Sequence, residues 1–473
     1  MSNQALADFA VKHALELGAS YAEARWEKTS ANAFSMKNGI PQLGDFEDVE
    51  GLGVKLFFHG AAEYCSTDWM DKEHVKKLVE DGVRNAAASS KLVKEPMLLS
   101  SERTVKAKFE VQQKKRIQNV DVDEKFELLE NVDGALIEGK VKIPARYLAL
   151  YDSITEKYFV NSDGSRISSV TPSVGFLLIM TVQHGAHSMQ RHLQFNETGG
   201  YERLDAWNLE AAVPAEAKAI QKVLVEGVAA PKGTVDIVCA PEVVGIACHE
   251  SVGHPFEADR ILGREGAQAG ESYLSSEDIG KRIGSEVPTV VDDPTLPNSA
   301  GYYLYDDEGV QARRKTLMVN GVVAELLLNR ESAYKLELGS NGSARAMDYE
   351  SEPLVRMSNT FLAPGECSEE ELLEDVKKGV YIKSFTEWNI DDKRMHQRYV
   401  GCEAYLIENG ELGKPVKRVV LETTTPDFWG AVELVANNVA FFAGTCGKGE
   451  PMQGVPVWMG GPSVKLKGLR LGV

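Results

Sequence analysis

The sequence predicts an α+β protein of two domains. An N-terminal mixed α/β domain takes residues 1–200, and a C-terminal, largely antiparallel β domain takes 201–473 and carries a helix rich in metal-ligating side chains. Three observations support this division. The 473 residues are 43% hydrophobic and 26% charged, a globular composition with material for more than one core. Hairpin signals punctuate both halves: His59-Gly60 and Asp163-Gly164 in the first, Asn320-Gly321 and Asn409-Gly410 in the second. Between them, the turn-rich stretch 196–203 precedes an Ala-rich helical pattern over 207–225, which places the seam there.

Taken in order, Leu6, Phe9, Ala10, Ala14 and Leu17 recur at helical spacing and Gly18 follows as a stop signal, so the first element is a helix. Residues 53–65 read as two short strands about His59-Gly60. The charge-dense stretch 106–136, with Phe109, Val111, Ile117, Phe126 and Leu129, suggests exposed helices lying on a sheet. Strands 157–160 and 166–170 flank Asp163-Gly164, and the apolar run 174–182 reads as a buried strand. In the second half, 234–240 is a buried-strand pattern and Pro241 opens a helix. Strands 316–319 and 322–328 flank Asn320-Gly321. Ser368 with Glu371 forms a capping box for a helix over 369–378 that Gly379 closes.

Composition excludes several functions. Lys plus Arg number 52 against 70 Asp plus Glu, a formal charge of −18, and duplex nucleic acid needs clustered positive charge to neutralise its phosphates. No nucleic-acid partner is expected. The run 174–182 falls far short of the roughly 20 residues that cross a bilayer as a helix, so no membrane is expected either. Residues 1–10 lack the basic and apolar regions of a secretory signal. The six cysteines contain no C-x-x-C pair, so neither a disulfide framework nor a zinc ribbon is indicated. A cytoplasmic location is the expectation.

The main chemical signal is His249-Glu250-x-x-x-His254 on the helix that Pro241 opens. Histidines four apart lie about 40° apart around a helix, whereas a spacing of five gives about 140°, too far to share a metal. A single π turn, with about 4.4 residues, returns i and i+5 to one face. Gly253 makes that distortion cheap, and Pro255 lacks the N–H that would bond back to Ser251. Two unconnected histidines on an irregular helix are the competing reading. A zinc site needs a further protein ligand, and Glu257, Asp259 or a distant cysteine could supply it. Cys446, in the loop-like stretch 444–449, is flanked by glycines, although an ordinary buried cysteine is the usual case. Cys248 points away from His249 and should pack on the sheet.

Other constellations are weaker. His184, His187 and His192 read as exposed strand histidines. Residues 249–253 mimic a nucleophile elbow, but Ser251 lies inside the helix pattern, which argues against a serine hydrolase. The stretch 442–449 departs from a phosphate-binding loop, with Phe442 in place of the first glycine and Gly449 in place of the Ser/Thr. Asp306-Asp307-Glu308 reads as a charged turn.

Four motifs in order make the chain resemble the TldD/PmbA family of metalloproteases, older members of which were labelled modulators of DNA gyrase. They are residues 249–254 with Glu257-Ala258-Asp259, Tyr305-Asp306-Asp307-Glu308-Gly309, Arg356-Met357-Ser358-Asn359-Thr360, and Gly444-Thr445-Cys446-Gly447-Lys448. The resemblance is to the TldD-like catalytic branch, since a sister branch has lost the histidine helix. It implies Zn²⁺ held by His249, His254 and Cys446, with Glu250 as general base. It also implies hydrolysis of peptides or unfolded protein segments inside a dimer, formed with a second copy or with a motif-less sister. Glu257 and Asp259 become candidates for orienting a histidine ring. One departure is that Glu450 and Pro451 intervene before Gln453, where the family usually reads a glutamine sooner. The alternative is a non-catalytic regulatory subunit that binds peptides or a protein.

Overall fold

The computed structural model describes residues 1–42, 44–266 and 270–472. The N-terminal half is built on an eight-stranded sheet whose central members are long: Tyr21–Lys37, Asp45–Phe58, Ala145–Asn161 and Arg166–His184. Strand alternation divides its faces. Even-numbered residues such as Ala22, Ala24, Trp26, Leu52, Val54, Leu148 and Phe176 form the buried apolar face. Helices Asn3–Glu16 and Lys72–Ser89 cover one end of that face, and Val122–Glu138 with Leu209–Glu226 the other. The expected helices over 106–136 are a strand, Lys106–Glu110, then one helix, Val122–Glu138. Helix Leu209–Glu226 gives Leu209, Val213, Ala217 and Ile220 to the N-terminal core.

The odd-numbered face carries charged residues that are buried where the C-terminal half meets it. Glu23, Arg25, Glu27 and Lys55 lie there, and the segment 306–352 of the C-terminal half covers them. Lys55 pairs with Glu352 at 3.0 Å, Lys157 with Asp307 at 3.1 Å, and Arg25 donates to the Ser351 carbonyl at 2.9 Å. Asp306-Asp307-Glu308 is the expected charged turn, here buried in the junction. The Asp306 carboxylate accepts backbone N–H groups of Glu308, Val310 and Ala344.

The C-terminal half holds a seven-stranded sheet, a six-stranded sheet and two smaller ones. Antiparallel pairing dominates, with parallel pairs at Thr234–Cys239 with Lys378–Ile382, Asn359–Leu362 with Gln453–Gly461, and Glu411–Lys417 with Val228–Ala229. The capping box at Ser368 and Glu371 is present, but its helix ends at Glu374. Gly379 belongs to the following strand, where a Cβ would stand 2.5 Å from the Asp236 carbonyl oxygen, so close pairing explains this glycine. The return strand after Asn320-Gly321 is only Val322–Val323. Residues 444–448, expected as loop, end the strand Ala440–Lys448 at the edge of the six-stranded sheet. No helix among the described residues is long and apolar enough to cross a membrane.

Candidate metal centre

Strand Thr234–Cys239 leads directly into the helix Pro241–Cys248, which runs through the C-terminal core. Pro241 stands at its first position, where a missing N–H costs nothing. Gly245 lets the helix lie on strand Gln453–Gly461, since a Cβ there would meet backbone at 2.9 Å. The α-helix then widens into a π turn over His249–Gly253 and tightens to a 3₁₀ turn at His254–Phe256. That widening is the distortion the histidine spacing demanded. Gly253 has a second reason to be glycine: a Cβ would lie 1.8 Å from Met357 Sδ.

The π turn brings His249 and His254 together, with ring centroids 4.9 Å apart. Cys446 approaches from its strand, with Sγ 3.5 Å from His254 Nε2. One ligand atom from each of the three lies within 4.8 Å of the others, and all three residues are buried. Burial pushes the Cys446 thiol up, but His254 and Arg356 outweigh it and bring the pKa down to about 7. Burial lowers both histidines, favouring neutral rings. His249 Nδ1 is buried without a hydrogen-bond partner among the described residues. Two neutral imidazoles, one acidified thiol and an orphaned ring nitrogen fit a soft divalent ion such as zinc.

Around the three, the contacts are polar. Glu257 Oε2 meets His254 Nδ1 at 3.0 Å, so the ring is held with Nε2 toward Cys446. Burial raises the Glu257 carboxyl, yet Lys448, His254 and Arg260 hold it well below the usual range. Asp259, by contrast, makes no hydrogen bond to a histidine among the described residues. It pairs with Lys448 Nζ at 2.7 and 2.8 Å, and Lys448 also donates to the Val355 carbonyl at 2.7 Å. Asp259 thus fixes the end of the cysteine strand instead of a ring. Arg356 donates to the carbonyls of Cys446 and Gln453, so the residue of the departing motif still forms part of the wall. Ser251 Oγ donates to the Ala247 carbonyl and accepts from Trp429 Nε1, which leaves no base to activate it.

Glu250, buried beside His249, is held by Arg394 Nη1 at its Oε2. Sequence reasoning missed this arginine, because it lies in none of the four motifs. It also left Lys448, Arg260 and Arg356 without roles, although Lys448 and Arg356 lie within the motifs. His184 and His187 face each other across an exposed hairpin end, far in role from the cluster.

Fold and site define a class: an α+β protein that gathers a set of two histidines and one cysteine on a π turn and a sheet edge. The family follows from comparison. Residues 232–473 match the PmbA/TldA metallopeptidase C-terminal domain and residues 115–225 its central domain. The chain belongs to the PmbA/TldD metallopeptidase family. It is 31% identical over 453 residues to a metalloprotease of Methanothermobacter thermautotrophicus, covering 96% of this chain and 95% of the other. It is 27% identical to a zinc metalloprotease TldD homologue of Saccharolobus solfataricus, over 98% of each. The fold matches that of a candidate modulator of DNA gyrase from Thermotoga maritima with a TM-score of 0.79 at 18% identity, covering 100% of both chains. It also matches TldE from Thermococcus kodakarensis at 0.76 and 15%, over 99% and 100%.

Proposed function

We propose that the chain is a zinc-dependent peptidase that hydrolyses peptides or unfolded protein segments, with Zn²⁺ held by His249, His254 and Cys446 and Glu250 as general base. The observation that carries this reading is the convergence of three buried ligand atoms within 4.8 Å of one another, one of the histidines having a buried nitrogen without a partner. When bound, the ion supplies Lewis acidity toward a carbonyl and makes water a better nucleophile. The side chains do the rest. Glu250 takes a proton from the attacking water and delivers it to the leaving amine nitrogen. Glu257 keeps the His254 proton on Nδ1 and leaves Nε2 as a donor atom. Burial of all four groups excludes bulk water from their proton traffic.

Among the described residues, the cysteine strand Ala440–Lys448 ends its sheet with Gln453–Gly461 as its strand partner, Gln194 donates to Thr445 Oγ1 at 3.4 Å, and Thr445 and Gly447 are exposed. An extended substrate adding to that edge would be held by main-chain hydrogen bonds, with loose sequence preference and no room for a folded domain. The proposed working form is a dimer, with a second copy or a motif-less sister, and the TldE likeness supports a partner of this same fold. All six cysteines are free, in keeping with a cytoplasmic home. The test is metal analysis together with cleavage of an unfolded protein such as casein. A protein with about one zinc per chain that cleaves casein supports the reading. Metal-free, inert protein would favour the alternative of a non-catalytic binding subunit.

A further inference from the structure

One buried cation stands outside the mechanism above. Arg394 lies in the tight turn between strands Phe385–Ile390 and His396–Gly401, in the left-handed region at φ 63°, and is 7% exposed. Both the backbone conformation and the buried guanidinium are unfavourable unless the surroundings hold them. They do so here. The Arg394 N–H donates to the Asp391 carbonyl at 3.0 Å, and its own carbonyl accepts from Thr425 Oγ1 at 2.8 Å. The Asp391 carboxylate accepts from the Met395 N–H at 2.7 Å. The result of this bracing is Nη1 seated on Glu250 Oε2, while Nε is buried without a partner among the described residues.

Two imidazoles and one thiolate would leave a bound zinc open to a further protein ligand, and carboxylate oxygens serve as such ligands. Glu250 adjoins His249 on the π turn, yet its carboxylate, held by Arg394, is not among the clustered ligand atoms. A coordinated carboxylate could no longer collect a proton. We propose that Arg394 is a positioning residue that keeps Glu250 out of the ligand set by engaging Oε2, reserving the carboxylate for proton transfer. The inference rests on the reading of Glu250 as general base.

The test uses the full chain and Co²⁺ alone as the probe, followed by its ligand-field spectrum, with casein cleavage measured separately on zinc-loaded protein. Arg394→Met is expected to bind Co²⁺ about tenfold tighter, with an altered spectrum, while cleavage falls about 10²-fold or more. Adding Glu250→Gln should cancel the gain in affinity and restore the wild-type spectrum, because the captured ligand is gone. Arg394→Lys, which keeps the charge without the fork, should fall between, and serves if the methionine variant does not fold. Unchanged or weaker Co²⁺ binding in the folded variants would overturn the assignment, since lost bracing alone loosens a site. Wild-type chain that takes up no Co²⁺ would instead defeat the metal reading on which the inference stands.

Discussion

Cys446 is drawn in two directions, upward by burial and downward by His254 and Arg356, and the second wins at about 7. A proton competes with a metal for this sulfur. Metal affinity should therefore be nearly flat from pH 9 to 7, and fall about tenfold per unit below 7 as the thiol protonates. A Cys446→Ser variant should lose both the slope and most of the metal, and His249→Ala or His254→Ala should also empty the site; elemental analysis across pH checks all three. Glu250→Gln should retain metal and fold but lose about 10²–10⁴-fold in peptide turnover, measured on metal-loaded protein. The histidines and Glu250 were legible because they sit within six consecutive residues. Cys446 is nearly two hundred residues away and became a ligand only through the family resemblance, its own neighbourhood resembling a loop. Arg394 gave no signal at all, because a buried ion pair across the fold has no local pattern.

At the scale of elements, the π turn is the feature on which the site depends. The spacing of the histidines and Pro255 made it foreseeable. What the sequence could not show is that Gly253 is also required by Met357, a contact between residues distant in the chain. Gly253→Ala should cost about 1–3 kcal/mol through overpacking and lower metal occupancy, and Met357→Ala added to it should recover part of both. Denaturant melts of the two single variants and the double variant measure that coupling. The cysteine strand was misread for a related reason: glycines that permit sheet pairing look, in sequence, like glycines that permit turns. The capping box was legible because its residues are three apart, while the helix end was not, Gly379 being set by a neighbouring strand.

Over the whole molecule, the hairpin at Asp163-Gly164 was readable in the N-terminal sheet, but the burial of its odd-numbered face was not. Charged residues on a strand imply solvent, and here they meet the segment 306–352 instead. Glu23 is the sensitive member of that junction: burial raises its carboxyl to about 7, with Lys55 opposing and Glu308 assisting. A folded-state value above the unfolded one means its contribution is full below pH 4.5 and is lost as pH rises through 7. Glu23→Gln, a mimic of the protonated form, should match wild-type stability near pH 4 and exceed it by about 1–3 kcal/mol near pH 8, read from melting curves at the two values. The junction packs the N-terminal sheet against the half that carries the candidate metal centre. The central claim is that His249, His254 and Cys446 hold an ion which Glu250 puts to use. It is tested most directly by measuring zinc content and casein cleavage in the same preparations of wild type, Cys446→Ser and Glu250→Gln. The account predicts about one zinc and cleavage for wild type, little zinc and no cleavage for Cys446→Ser, and full zinc without cleavage for Glu250→Gln; cleavage by metal-loaded Glu250→Gln at the wild-type rate would contradict it.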